Sequence, residues 1–194
     1  MNFINTFFEN LNQTLTSLNK KNLILSIEIL RELRKKRGRL FIIGVGGSAG
    51  NASHAVNDFR KLCNIDAYTP VDNVSEITAK TNDEGFETIF DTYLNLSKIN
   101  KNDVLMVFSV GGGNLKKKVS VNLIKAIKLA KTKKSKVISI IGRTDGYAYK
   151  NSDVKIHVNV KNKKLVTPIS ETFQVLLWHL FVSHPRLQIN KTKW

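Results

Sequence analysis

Residues 40–58, "LFIIGVGGSAGNASHAVND", pass from a short, continuously apolar run into glycines, and then into a helical pattern that carries His54 and Asp58. An apolar run of this length without polar alternation suits a strand buried on both faces of a parallel sheet. The glycines that follow allow a sharp turn. The segment reads as strand, loop and helix.

The same kind of run recurs in "DVLMVFSV" from Asp103 and "KVISIIG" from Lys136, while "VKIHVNV" from Val154 alternates and "IDAYTPV" over 65–71 is a weaker candidate. Helical patterns over 49–62, 74–81, 84–96, 118–131 and 168–182 fall between or after these runs. Pro168 suits a first helical turn, where its missing N–H would have no partner, and Thr167 can cap it. Before the first strand, Ile4, Phe7, Phe8, Leu11, Leu15 and Leu18 keep helical spacing over 3–18, and Leu23, Ile24, Ile27, Leu30 and Leu33 repeat it. Strands alternating with helices predict an α/β fold. Its core is a doubly wound, mostly parallel five-stranded sheet with helices on both faces, preceded by two N-terminal helices.

A chain of 194 residues that is 42% hydrophobic can bury one sizeable core, so the whole of 1–194 is expected to form one domain. Its parts are N-terminal helices over 1–37, sheet and helices over 38–184, and a C-terminal tail over 185–194. The opening "MNFINTFFENLNQTL" has neither a basic start nor a cleavage-like site, and no later run reads as a membrane span, so a cytoplasmic location without membrane attachment is expected. A single cysteine, Cys63, excludes an internal disulfide and a cysteine-rich metal site. The net charge of +16 comes from lysines scattered over helix faces and loops without interleaved aromatics. That pattern describes a solvated basic surface, suited to steering a small anion rather than gripping nucleic acid.

Two glycine-rich loops, "GVGGSAG" at 44–50 and "SVGGGN" at 109–114, both follow strands and precede helices. In an open parallel sheet such loops lie where ligands gather, and helix N-termini there offer free N–H groups to anions. Neither loop ends in Gly-Lys-Ser/Thr, which argues against a nucleoside triphosphatase. Gly44, Gly46 and Ala49 do satisfy G-x-G-x-x-A, with Asp66 at a suitable distance for a ribose contact, so a dinucleotide site is one alternative.

His54 and Asp58 are four apart on one helix face, and Glu171 and His179 are eight apart on the last helix. Two histidines and two carboxylates suit zinc or a similar divalent ion, and equally an acid/base set without metal. Taken singly, each has a plainer reading: His54 as a satisfied helix histidine, Asp58 as a surface partner of Arg60 or Lys61, and Glu171 as a first-turn acid.

"GGSAGNASHAVND", "TNDEGFETIF", "SVGGGN" and "ISETFQVLLWHL", in this order, resemble the sugar isomerase (SIS) domain, and within it the sedoheptulose 7-phosphate (phosphoheptose) isomerases. The resemblance spans nearly the whole chain and implies a flavodoxin-like sheet. It also implies substrate contacts at Gly46, Gly47 and Ser48, with Val45 in place of the family's Asn. Further contacts are implied at Asn82 and Asp83, in the second loop at Ser109, Val110, Gly111 and Asn114, and at Glu171.

In the second loop the family's hydroxyls have become Val110, Gly111 and Asn114, and Lys116, Lys117 and Lys118 stand beside it. By the same resemblance His54, Asp58, Glu171 and His179 would hold one zinc ion per subunit, with Asp58 standing for the family's Glu and Glu171 for its Gln. Asp58 would act as base and His179 as acid in an aldose–ketose isomerisation of sedoheptulose 7-phosphate toward surface-polysaccharide heptose. A homotetramer is implied too. The other reading that the family permits is a non-catalytic sugar-phosphate-binding or regulatory protein.

Overall fold

A computed structural model describes residues 2–192; Met1 and the last two positions of the expected tail, 193 and 194, lie outside the described residues. Five strands form one sheet among these residues: β1 (Arg39–Ile43), β2 (Asp66–Tyr68), β3 (Val104–Ser109), β4 (Lys136–Ile141) and β5 (Val154–His157). The order is β2-β1-β3-β4-β5 and every pairing is parallel, so the sheet is wholly rather than mostly parallel. The helices are α1 (Asn2–Thr16), α2 (Lys20–Lys35), α3 (Gly47–Cys63), α4 (Val74–Glu84), α5 (Ile89–Leu96), α6 (Val121–Thr132), α7 (Tyr147–Asn151) and α8 (Val166–Val182).

Alternate strand residues serve two cores. Leu40, Ile42, Val104, Met106, Phe108, Ile138 and Ile140 pack with α2, α3 and α8. Phe41, Ile43, Leu105, Val107, Val137 and Ile141 pack with α5, α6 and α7. The central β3 is buried along its entire length, which is why its sequence is continuously apolar; the edge strand β5 alternates between buried and half-buried residues, as its sequence does. Because β2 and β3 lie on opposite sides of β1, the chain reverses direction across the sheet between β1 and β3. The loops that leave those two strands flank this switch point, where open α/β sheets bind ligands.

Three boundaries differ from the sequence pattern. Gly85, at φ 91°, breaks the run over 84–96 into a 3₁₀ turn at Phe86–Thr88 followed by α5. The lysine-rich start of the run over 118–131 is not helical: Asn114 and Val119 pair across a hairpin (2.9 and 3.0 Å), and α6 begins only at Val121. The last helix starts at Val166 with Leu165 at its cap position, so Pro168 sits within the first turn and Thr167 does not cap. With the 3₁₀ turn before it, the helical segment Lys163–Val182 is long and apolar enough to cross a membrane by length and composition, against expectation, yet half of it is buried in this fold. Trp178, Phe173, Leu177 and Phe181 supply that burial as core residues.

The tail is docked as far as Asn190. Leu187 is fully buried, Ile189 and Asn190 donate backbone bonds to the Leu62 carbonyl (2.8 and 3.1 Å), and Arg34 donates to the Leu187 carbonyl at 2.5 Å. At the other end α1 is the least integrated helix: Phe7 and Leu11 touch the core, whereas Phe3 and Phe8 are 69% and 62% exposed.

One half-buried carboxylate works against the fold. Asp91 on α5 has an Oδ1 that is buried without a hydrogen-bond partner, and burial pushes its carboxyl above the usual range. An acid raised in this way destabilises the fold once ionised; the cost is absent below the ordinary carboxylate pKa and grows as pH rises through the folded value. Asp91→Asn is therefore expected to raise the melting temperature at about pH 7 and to leave it unchanged near about pH 3. Thermal scans at the two pH values check this, and an unchanged melting temperature at neutral pH would contradict it.

Candidate functional site

Two helices bring the site together. α3 leaves the first glycine loop directly, with Gly46 at φ 64° as its cap position, and it packs against α8 from the far end of the chain. Gly44 has a steric reason to lack a side chain, because a Cβ there would collide with the Ser48 carbonyl group. Gly47 has a second one: a Cβ there would sit 2.5 Å from the Glu171 carboxylate, so this carboxylate rests against the start of α3.

Gln174, fully buried on α8, ties the two helices. Its Nε2 donates to Ser48 Oγ at 3.0 Å and its Oε1 accepts from Asn51 Nδ2 at 2.8 Å; Asn51 Nδ2 also donates to the Glu171 carbonyl at 3.0 Å. Two turns further along α3, Asp58 is the centre of a polar cluster. Its Oδ2 lies 3.6 Å from His54 Nε2 and 3.6 Å from His179 Nδ1, and it accepts from Trp178 Nε1 at 3.2 Å. Asn57 Nδ2 donates to the other oxygen, Oδ1, at 3.1 Å. The Asp58 side chain is only 11% exposed, while those of His54 and His179 are 56% and 48% exposed. The aspartate is thus not a surface partner of Arg60, whose guanidinium lies over the Tyr68 ring instead.

The imidazoles cap a buried carboxylate and face outward. Their rings meet edge to face at 5.6 Å, and both pack on Trp178, which stacks on Phe108 from β3. The ligand atoms of His54, Asp58 and His179 all lie within 4.8 Å of one another. Zinc bonds of about 2.0–2.2 Å at tetrahedral angles separate neighbouring ligand atoms by roughly 3.4 Å, so the two 3.6 Å spacings are close to those that a divalent ion would need. Glu171 is not one of this group. It precedes His179 by eight residues, about 12 Å of helix axis, and its carboxylate lies beside Gly47.

The remaining predicted residues sit elsewhere. Asn82 and Asp83 lie exposed on the last turns of α4, where Asn82 Nδ2 donates to Asp83 Oδ1 at 2.8 Å. In the second loop the Ser109 hydroxyl is buried and accepts the Gly112 N–H at 2.9 Å, so it holds the loop's own turn. Gly112 and Gly113 have φ of 71° and 82°, and Asn114 closes the hairpin with Val119. Val110 accepts the Gly142 N–H through its carbonyl, and Gly111 borders open space. For the dinucleotide reading the geometry is unfavourable: Asp66 pairs with Arg39 at the start of the strands, the edge opposite the glycine loops.

The comparisons with known proteins bear on the family and the fold. The sequence pattern of the SIS domain matches residues 5–142, from α1 to the end of β4. The chain belongs to the SIS domain family. Among its relatives, the lincomycin biosynthesis protein LmbN of Streptomyces lincolnensis is 32% identical over 154 residues, which cover 76% of this chain and 56% of that protein, so the chain spans little more than half of LmbN. The phosphoheptose isomerase of Helicobacter pylori strain 26695 is 28% identical over 164 residues, covering 82% of this SIS chain and 77% of the relative. The structure of phosphoheptose isomerase GmhA from Neisseria gonorrhoeae superposes with a TM-score of 0.77 at 23% identity, over 93% of this chain and 92% of that one, which establishes the shared fold. His179 and Glu171 lie beyond the residues matched by the SIS pattern, so their place in the site rests on the packing of α8 against α3.

Proposed function

We propose that this SIS protein is an aldose–ketose isomerase of a sugar phosphate, with sedoheptulose 7-phosphate as the substrate and a heptose 7-phosphate as the product. The observation that carries the reading is a buried carboxylate, Asp58, shared by two exposed imidazoles at equal distance. Its support is the family membership and the phosphoheptose isomerases among the relatives. The chain acts as one SIS unit, and the exposed apolar residues of α1 suit burial against further copies in a homotetramer.

Isomerisation needs a base beside the carbonyl and an acid at its oxygen. Asp58 takes the proton from C1 of the ketose through Oδ1, the oxygen not shared by the rings. His179 gives a proton to O2, which leaves a neutral enediol. Return of the Asp58 proton to C2, with loss of the O1 proton to His179, yields the aldose and restores both groups. His54 Nε2, Asp58 Oδ2 and His179 Nδ1 would hold a zinc ion, leaving Asp58 Oδ1 as the base and the His179 Nε2–H as the proton donor, and the ion would supply polarisation of the sugar carbonyl. Gln174 and Asn51 fix the helix that carries Asp58.

Trp178 is a positioning residue in this scheme, since its N–H orients Asp58 Oδ2. Trp178→Phe keeps an aromatic core residue but removes that donor. It is expected to weaken zinc binding by roughly ten- to a hundredfold, as loss of such an outer bond does. Competition with a chromogenic chelator measures this, and unaltered zinc affinity would exclude the positioning role.

The reaction itself is tested by incubating the purified protein with sedoheptulose 7-phosphate, after chelation and after re-addition of zinc, and by resolving ketose and aldose phosphates. Product formed only with metal supports the proposal. A folded, zinc-loaded protein that forms no product while the sugar phosphate raises its melting temperature points to the sensor reading instead.

A further inference from the structure

Three helices end alike at the edge of the sheet where the strands begin. Arg37 after α2, Lys98 after α5 and Lys134 after α6 each take a left-handed φ, 53°, 52° and 59°. Their N–H groups donate to the carbonyls of Arg34, Asn95 and Lys131, and the residues that follow them donate to Leu33, Leu94 and Ala130, at 2.9–3.0 Å throughout. A helix end of this kind ordinarily carries glycine, which meets no steric penalty there. Here a long cation takes the position in all three. The strands that come next, β1, β3 and β4, are neighbours in the sheet, about 4.8 Å apart, so the three cations lie along one edge.

More cations join them. Lys36 and Lys133 stand directly before two of them, Lys101 lies in the turn before β3, and Lys136 opens β4. Lys36, Lys101 and Lys136 border one cleft of about 230 Å³, so three successive connections converge there. The acids of this edge are already engaged: Asp103 is buried against Arg39 (2.7 Å), Glu32 pairs with Lys35 (2.9 Å), and Asp153 pairs with Lys131 and Lys136 (3.1 and 3.6 Å). Lys36, Arg37, Lys98, Lys101, Lys133 and Lys134 are exposed and make no ion pair among the described residues. Cations near a helix C-terminus offset the dipole, and Lys35 and Lys131 do so from the last turns. The left-handed positions add charge beyond this, at a conformational cost. Leu96, the last residue of α5, is 65% exposed beside them.

We infer that this edge docks the protein on a membrane surface that carries anionic lipid headgroups, against the expectation of a chain without membrane attachment. It has the two parts that such a contact uses: unpaired lysine and arginine charge to meet headgroup phosphates, and an exposed leucine that can enter the headgroup region. Nucleic acid fits it less well. No aromatic residue stands among 35–39, 96–101 or 131–136 to stack on a base, and the helices stop here in tight turns, with no element projecting to enter a groove. A second copy fits worse, because two such edges would oppose each other with unpaired cations. The glycine loops lie at the opposite edge of the sheet, so docking leaves them open to solution. No residue of the Asp58 cluster takes part.

The test is sedimentation of the full chain with vesicles of phosphatidylcholine and with vesicles of equal parts phosphatidylcholine and phosphatidylglycerol, at low and at high salt. One variant combines Arg37→Asn, Lys98→Asn and Lys134→Asn, since asparagine also takes a left-handed helix end readily. A control combines Lys161→Gln, Lys163→Gln and Lys164→Gln, which removes the same charge from exposed residues at the edge where the strands end. The intact protein should bind only the anionic vesicles and release them at high salt. The asparagine variant should bind about a hundredfold more weakly, roughly fivefold for each charge removed, and the control should bind as the intact protein does. Lys98→Asn alone should bind about fivefold more weakly, which repeats the comparison with a single change. The inference is overturned if anionic vesicles are not bound, if phosphatidylcholine vesicles are bound equally, or if the two triple variants weaken alike through net charge. Binding of a DNA duplex through the same three cations, with both kinds of vesicle left unbound, would overturn it in favour of a nucleic-acid surface.

Discussion

Asp58→Asn is expected to lower turnover of the sugar phosphate by a factor of about 10²–10⁴, the usual worth of a positioned base, while the protein stays folded. Asparagine has the volume of aspartate and can still accept from Trp178 Nε1, so the packing of α3 on α8 survives. What is lost is the charge that faces both imidazoles and the basicity of Oδ1. Zinc binding should fall in parallel, since a neutral amide is a poor ligand next to two imidazoles.

A companion variant, Asp58→Glu, installs the residue that the family resemblance places here. It moves the carboxylate outward by one methylene between rings already 3.6 Å from it, and should retain metal with reduced turnover. Circular dichroism and chelator competition on both variants separate loss of charge from loss of fold. Full activity in Asp58→Asn would remove the proposed base.

Gln174→Ala is expected to destabilise the protein by about 2–3 kcal/mol, the largest stability effect predicted for a polar residue of this site. The side chain is fully buried and satisfied at both ends, by the Ser48 hydroxyl and the Asn51 amide. Truncation leaves buried groups unpaired and a cavity between α3 and α8, and partial relaxation of the helices does not remove either cost. The start of α3 would lose its tether to α8, so activity should fall together with the melting temperature. Gln174→Glu discriminates further: it fills the space but replaces the donor to Ser48 by an acceptor, and a buried charge arises where none was paired. Denaturant unfolding of both variants measures the effect, and a change below about 0.5 kcal/mol would show that Gln174 is not the tie.

The fold was legible where burial acts on both faces of a strand. The β1, β3 and β4 runs are apolar without alternation because alternate residues enter different cores, and β5 alternates because it lies at an edge. α7 escaped notice because Tyr147–Asn151 is too short to show a helical period. The late start of α6 escaped because "LKKKVS" carries no breaker, and the hairpin depends on glycines upstream of it and on left-handed Lys118 and Ser120.

In the site, the four-residue spacing of His54 and Asp58 was readable on one helix, but their junction with His179 depends on how α8 lies across α3. Spacing alone placed Glu171 with His179 on a broad face and could not measure the axial separation that keeps it at Gly47. Gln174, a neutral polar residue among Phe173, Val175 and Leu177, carries no charge signal to mark it, although a polar residue on an apolar stripe implies a buried partner.

The central claim is that the Asp58 cluster moves a proton between neighbouring sugar carbons. Its most direct test is conversion of sedoheptulose 7-phosphate in heavy water by the zinc-loaded protein, followed by NMR of the product. The account predicts a heptose 7-phosphate bearing deuterium at C2, because the proton on Asp58 exchanges with solvent at the enediol stage, and no such product from Asp58→Asn. Absence of product from the intact, folded protein, or deuterated product at an undiminished rate from Asp58→Asn, would contradict it.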